Sequence, residues 1–205
     1  MAEQTLFKTL MKKMLLLNIA ASLMLAFPAT AGWEEGMAAA KKGDHALAYK
    51  ELLPLAEQGN ISAQTTLGVM YFNGQGVPQD YDAALVWLSL AANQGHDVAQ
   101  FNLGVMYDSG IGIDQDFSLA ARWYQLAANQ RHATAQYNLA QMYQSGDGVK
   151  QDSIRAHMWF NIAATLGNDE AAASLKLIEK TMTAKQVSSA QRLAGACVDN
   201  AYQGC

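Results

Sequence analysis

Two cysteines, four histidines and an aspartate that recurs at fixed spacing are the side chains of this chain best placed to do chemistry. Cys197 and Cys205 both fall in the closing segment Ala196–Cys205. A Zn site needs more ligands than two thiolates, and no histidine lies near them in sequence. A disulfide needs only an oxidising compartment, and it would pin a terminus that otherwise frays. His96 and His132 stand 36 residues apart, with Asn60 and Asn168 in step on either side. Metal ligands one packed helix pair apart lie on the order of 10 Å from each other, too far for one ion to bridge. Asparagine at the same spacing points to helix capping instead. His45 and His157 have no counterparts at that interval, and a solvated surface role is expected for both.

No catalytic constellation emerges. Neither G-x-S-x-G nor H-E-x-x-H occurs. The recurring G-x-G lacks the third glycine and the preceding strand that a dinucleotide site requires, so it reads as turn chemistry. The chain is expected to be no enzyme, and to need neither a cofactor nor a metal.

What must position any site is a repeat. Shifting the chain by 36 residues aligns 60–95, 96–131 and 132–167, and thirteen of the thirty-six columns are identical in all three. They include Ala63/Ala99/Ala135, Gln64/Gln100/Gln136, Leu67/Leu103/Leu139, Met70/Met106/Met142 and Tyr71/Tyr107/Tyr143. The glycines Gly74/Gly110/Gly146 and Gly76/Gly112/Gly148 follow, then Asp80/Asp116/Asp152, Ala84/Ala120/Ala156, Trp87/Trp123/Trp159 and a pair of alanines. Ala63, Leu67, Met70 and Tyr71 share one face of a first helix, and Ala84, Trp87, Ala91 and Ala92 one face of a second. Asp80, Asp116 and Asp152 stand where an N-cap is wanted. Gly68 and Gly104, replaced by Ala140 in the third unit, admit a close partner helix.

Each unit is thus a helical hairpin that cannot cover its own apolar faces, and stacking at least about three of them does so. The flanks read as variants, an opening hairpin at 33–59 and a C-terminal cap at 168–205, for ten helices and no strands in all.

The string A-Q-x-x-L-G-x-M-Y, followed by G-x-G-V and D-x-x-x-A-x-x-W-x-x-x-A-A, resembles the Sel-one-like repeat, a relative of the tetratricopeptide repeat. The tail C-V-D-N-A-Y-Q-G-C is similar to those of exported bacterial members. The resemblance implies an all-α fold, a right-handed α-solenoid of stacked helical hairpins, holding a protein or peptide partner in a concave groove lined by the first helices. The variable columns of those helices are the expected peptide-binding residues: Thr65, Phe101 and Tyr137; Thr66, Asn102 and Asn138; Val69, Val105 and Gln141; Phe72, Asp108 and Gln144. Three departures stand out. Arg131 replaces the glycine between repeats and is expected to tilt that junction, Ala140 replaces Gly104, and Ala172 replaces the motif glutamine.

Composition fits this reading. The 205 residues are 51% hydrophobic and 16% charged, which excludes a disordered or collagen-like chain. A net charge of -4 argues against nucleic acid, whose phosphates call for clustered Lys and Arg. At the N-terminus, Lys12 and Lys13 precede an apolar run, Met14 to Phe27, and Ala29-Thr30-Ala31 offers the small residues that signal peptidase accepts. Residues 1–31 are therefore expected to be a signal peptide, with Met11 an alternative start, and 32–205 a single exported domain carrying net charge -6 and inserting in no membrane. The periplasm is the expected compartment, the extracellular medium the alternative. The expected function is a non-catalytic envelope adaptor. An envelope hydrolase acting on wall or β-lactam compounds, or a purely structural spacer, are the other readings.

Overall fold

The computed structural model describes residues 29–205, with side chains from residue 32. The signal-peptide assignment falls almost wholly outside the described residues. Those described form ten helices and no strand. The chain divides into two compact units at Ala91/Ala92.

The first unit contains α1 (Ala29–Lys41), α2 (His45–Glu57), α3 (Ile61–Asn73) and most of α4 (Tyr81–Asn93). Helix α1 pairs with α2 and α2 with α3. Their shared core holds Ala48, Leu52, Leu55, Ala63, Leu67, Met70 and Trp87. The N-termini of α2, α3 and α4 are each closed by a short polar side chain. The Asp44 carboxylate accepts from Leu47 N at 3.1 Å, the Asn60 carbonyl from Ala63 N at 2.9 Å and Asp80 from Ala83 N at 3.0 Å. At Gly68 a side chain would meet Leu88 Cγ at 2.6 Å, so the α3 backbone lies directly on the Leu88 side chain.

The second unit contains α5 (Asp97–Ser109), α6 (Phe117–Ala128), α7 (Ala133–Ser145), α8 (Ser153–Thr165), α9 (Asp169–Glu179) and α10 (Ala184–Asp199). Successive helices from α5 to α9 pack on one another, and α10 folds back onto α8. The core runs through Ala120, Tyr124, Leu139, Ala140, Trp159, Phe160 and Ile162. Gly104 repeats the close approach of Gly68, here against the Tyr124 ring. In the next repeat Ala140 and Phe160, both fully buried, occupy the equivalent places.

Buried glutamines tie each hairpin to the one before it. Gln64, Gln100 and Gln136 donate from Nε2 to the carbonyls of Ala56, Ala92 and Ala128 at 3.0, 3.2 and 2.9 Å. Each acceptor lies eight residues upstream, in the last turn of the preceding helix, where carbonyls lack intrahelical partners. Gln130 Nε2 in turn donates to Gln100 Oε1 at 2.8 Å. The loops are closed by a second glutamine column: Gln79, Gln115 and Gln151 donate to the carbonyls of Phe72, Asp108 and Gln144.

Several expectations need correction. His96 precedes α5 but makes no side-chain cap bond; its Nδ1 lies 3.8 Å from Asp97 Oδ1. His132 does cap, accepting from Ala135 N on Nδ1 at 3.2 Å. His157 is no surface residue. It is fully buried on α8, with Nε2 3.0 Å from Glu179 Oε1 on α9. Arg131 does not change its turn: it adopts φ 68°, in the left-handed region occupied by Gly95 and Gly167. His132 N still bonds Ala127 O at 3.2 Å, as Asn168 N bonds Ala163 O at 3.1 Å. The Arg131 guanidinium lies 5.9 Å from the Tyr202 ring centre, which helps offset the backbone cost.

A disulfide joins Cys197 to Cys205. Within its loop Tyr202 N bonds Cys197 O at 2.8 Å and the Tyr202 side chain is buried in the second unit's core.

Two outcomes follow from these contacts. Gln100→Leu strips the Ala92 carbonyl and the Gln130 amide of a buried partner and is expected to lower stability by about 1–3 kcal/mol in urea unfolding. Cys197→Ser with Cys205→Ser releases a short loop whose closure entropy amounts to about 2–3 kcal/mol. The double variant is expected to lose that much stability and to exchange the amide hydrogens around Tyr202 faster, with α5 to α7 unaffected.

Candidate functional site

The variable columns of the first helices do not all face outward. In the first unit Thr65 is 5% exposed and its hydroxyl donates to Ile61 O at 3.0 Å, so it offers nothing to a ligand. Thr66 donates to Ser62 O at 2.8 Å, a back-bond one turn down the helix. Val69 is half-buried, and Phe72 packs edge-on against Tyr81 with ring centres 5.5 Å apart.

In the second unit the first column is again spent on packing. Phe101 stacks on the His132 ring at 4.6 Å and tilts against Tyr124 at 6.0 Å. Tyr137 tilts against Phe160 at 5.8 Å. Both rings are half-buried against the core. Asn102 bonds back to Val98 O at 2.7 Å, and Val105 packs against the core.

The remaining columns of the second unit come together. Asp108, Asn138, Gln141 and Gln144 line a cavity of about 450 Å³ with Met142, Ser145 and Asp147. Asp108 sits in the last turn of α5, and Asn138, Gln141 and Gln144 at successive turns of α7 (i, i+3, i+6), so the α7 residues share one face. Asp108 accepts from the Tyr124 hydroxyl at 3.1 Å. Burial first, and then the Asp108 charge, push the Tyr124 phenol well above its ordinary range, so it stays a donor at all working pH values. Gln141 donates to the Tyr137 hydroxyl at 3.0 Å, leaving its carbonyl oxygen to the cavity. Gln144 and Asp147 are exposed. The lining carries two carboxylates and three amide side chains and no cationic side chain.

This arrangement has the chemistry of recognition. Carboxylate and amide oxygens accept, amide N–H groups donate, and no nucleophile is paired with a base. Among the described residues no three His, Cys, Asp or Glu side chains converge as a metal site. No described helix is long and apolar enough to cross a membrane.

Comparison with known proteins is consistent with this geometry. The Sel1 repeat matches residues 61–96, 97–132 and 133–168, over half of the chain. The chain belongs to the Sel1 repeat family. Its register is one residue later than the one read from the 36-residue identities. The crystal structure of a Sel1 repeat protein from Oxalobacter formigenes is 39% identical, with a TM-score of 0.58 over 62% of this chain and 96% of that one. The crystal structure of c5321, a protective antigen present in uropathogenic Escherichia coli strains and displaying an SLR fold, is 26% identical with a TM-score of 0.54. The match covers 85% of this chain but only 47% of that protein. No curated protein matches the chain. Sel1 repeat proteins as a class are protein-interaction scaffolds on an α-solenoid fold, and this chain has the same repeat and the same hairpins.

His132, which caps α7, makes the stability of the second unit depend on pH. Burial holds its imidazole below the ordinary value of about 6.5, and the nearby Asp97 only partly counters this. A lowered value in the folded state means that acid protonates the unfolded chain first. Stability is therefore full above about pH 6.5 and is lost as pH falls through the folded-state value, where the Nδ1 cap also breaks. In His132→Asn, with the capping residue of Asn60 and Asn168, unfolding free energy measured from pH 7.5 to 5 is expected to lose this part of its slope.

Proposed function

We propose that this Sel1 repeat protein is a non-catalytic scaffold of the bacterial cell envelope that holds a protein or peptide partner on the first-helix side of its repeats. The observation that carries the reading is the polar cavity of the second unit. Four of the twelve residues expected to bind peptide, Asp108, Asn138, Gln141 and Gln144, line it together. An extended peptide presents one N–H and one C=O per residue. Carboxylates and amides spaced one helical turn apart offer both kinds of partner. The hairpins that carry them are held by buried bonds, so the ordering cost of binding falls mainly on the ligand.

Export rests on separate features. The Lys12-Lys13, apolar-run and Ala29-Thr30-Ala31 sequence has the composition of a signal peptide covering 1–31, leaving 32–205 as the working chain. The Cys197–Cys205 bond suits an oxidising compartment, the periplasm first among them.

Crosslinking with mass spectrometry in intact bacteria tests the proposal. Gln141→Ala with Gln144→Ala alters exposed side chains and is expected to leave the melting temperature within about 2 °C of wild type. The same double variant is expected to lose the principal captured partner. An unchanged set of captured proteins would remove the cavity from the binding surface.

A further inference from the structure

A second cavity lies on the side of the second unit built from α6, α7 and the loop after α7. Its volume is about 660 Å³ and its walls are mostly apolar. Ala121 and Leu126 of α6, Leu139 and Tyr143 of α7, and Val149 of the loop form it, with Arg122 at the edge. Leu126, 45% exposed, stands at its open edge.

The repeat explains why the space is there. Tyr143 corresponds to Tyr71 two periods earlier, and Ala121 to Tyr49. In the first unit the Tyr49 ring stands edge-on to Tyr71, with centres 5.8 Å apart and hydroxyls 2.7 Å apart. One period after Ala121 and Tyr143, the equivalent positions hold His157 and Glu179, again in contact at 3.0 Å. Only a methyl group occupies this position on α6, so the Tyr143 ring lacks the side chain that the same register supplies elsewhere. Arg122 puts a cation at the edge. Beyond the lining, Arg155 lies 5.6 Å from the Tyr143 ring centre, donates to its hydroxyl at 3.2 Å and is paired with Asp152 at 3.7 Å. The Arg122 side chain is exposed, and among the described residues no carboxylate pairs with it.

We propose that this cleft receives an aromatic side chain of a partner protein, standing against Tyr143 as Tyr49 stands against Tyr71, with a neighbouring carboxylate of the same segment on Arg122. Burial of the ring supplies the attraction and the edge-on geometry its orientation, and the charge pair sets which flanking residues are accepted. The site is separate from the polar cavity lined by Asp108 and Asn138 and does not depend on it.

The probes are two blocked peptides, acetyl-Gly-Tyr-Asp-Gly-amide and its alanine counterpart acetyl-Gly-Ala-Asp-Gly-amide, titrated into the ¹⁵N-labelled chain up to about 5 mM. The tyrosine peptide is expected to shift amide signals around Ala121, Leu126, Tyr143 and Val149, and the alanine peptide to bind at least about fivefold more weakly. Ala121→Tyr fills the cleft from within and is expected to weaken the tyrosine peptide at least about tenfold; Arg122→Gln is expected to reduce both affinity and its salt dependence. If Ala121→Tyr does not give a native spectrum, Leu126→Asp at the exposed edge makes the same test. Gln141→Ala with Gln144→Ala is expected to leave the titration unchanged. Equal binding of the two peptides, shifts centred on Asp108 and Asn138, no shift at the highest concentration, or full binding to the folded variants would each overturn the proposal.

Discussion

A primary amide buried in an apolar stack has to be hydrogen-bonded, and that requirement on Gln64, Gln100 and Gln136 is what the repeat depends on. Gln136 is fully buried and the other two nearly so. Leaving such a group unpaired costs about 1–3 kcal/mol, and each amide finds its acceptor in a carbonyl at the end of the preceding hairpin. Alanine and leucine faces tolerate sliding, because one methyl contact resembles another. The glutamine does not. Displacing a hairpin by one turn would leave the buried amide without its carbonyl partner. Apolar burial therefore supplies most of the stacking energy, while the amide selects the register in which it is realised. The extension from Gln130 to Gln100 strengthens one junction. The next has Leu166 in the place of Gln130, and Gln136 Oε1 accordingly has no partner. At Ala172 the glutamine is gone, and the cap relies on other devices: the Thr183–Gln186 capping box, the His157–Glu179 pair and the disulfide loop.

Close backbone approach sets the second condition. Because Gly68 and Gly104 admit Leu88 and Tyr124 against the first helix, the side chains beside them are drawn into the contact. Phe101 is consumed in this way, against His132 and Tyr124, and in the next repeat, where Ala140 replaces the glycine, Tyr137 packs on Phe160. What remains to line the polar cavity is another part of these columns, Asp108, Asn138, Gln141 and Gln144. The face available to a ligand is thus defined by subtraction, as the columns that close packing does not need.

The hairpins were legible because identity at 36-residue spacing carries its own control: thirteen columns hold while their neighbours drift. Asp80, Asp116 and Asp152 could be assigned as caps since the acceptor side chain and its position are both visible in the chain. The glutamine bonds were not, although the column itself was plain. Their acceptors are backbone carbonyls of alanines, which leave no trace in residue type. His157 escaped for a related reason. Its partner Glu179 lies 22 residues on, an interval that comparison at the repeat period never juxtaposes. At Arg131 the residue type argues against a left-handed backbone, yet the turn keeps the glycine conformation, with the guanidinium set beside the Tyr202 ring.

That 22-residue interval shows how a repeat acquires particular properties. One pair of positions, facing across consecutive hairpins, holds two phenols at Tyr49 and Tyr71, an imidazole and a carboxylate at His157 and Glu179, and a methyl group beside a phenol at Ala121 and Tyr143. The first two pairs bond, and the third leaves room. None of these substitutions disturbs the glutamine bonds or the glycine contacts, because the pair lies off the columns that fix register. A stack whose geometry is secured by a few columns can vary the rest one residue at a time, and the energetic consequence of each change stays within its own junction. Specific recognition in such a protein therefore belongs at the positions where the repeats disagree, and within the second unit the largest disagreement in side-chain volume at this interval is the one that opens a cleft.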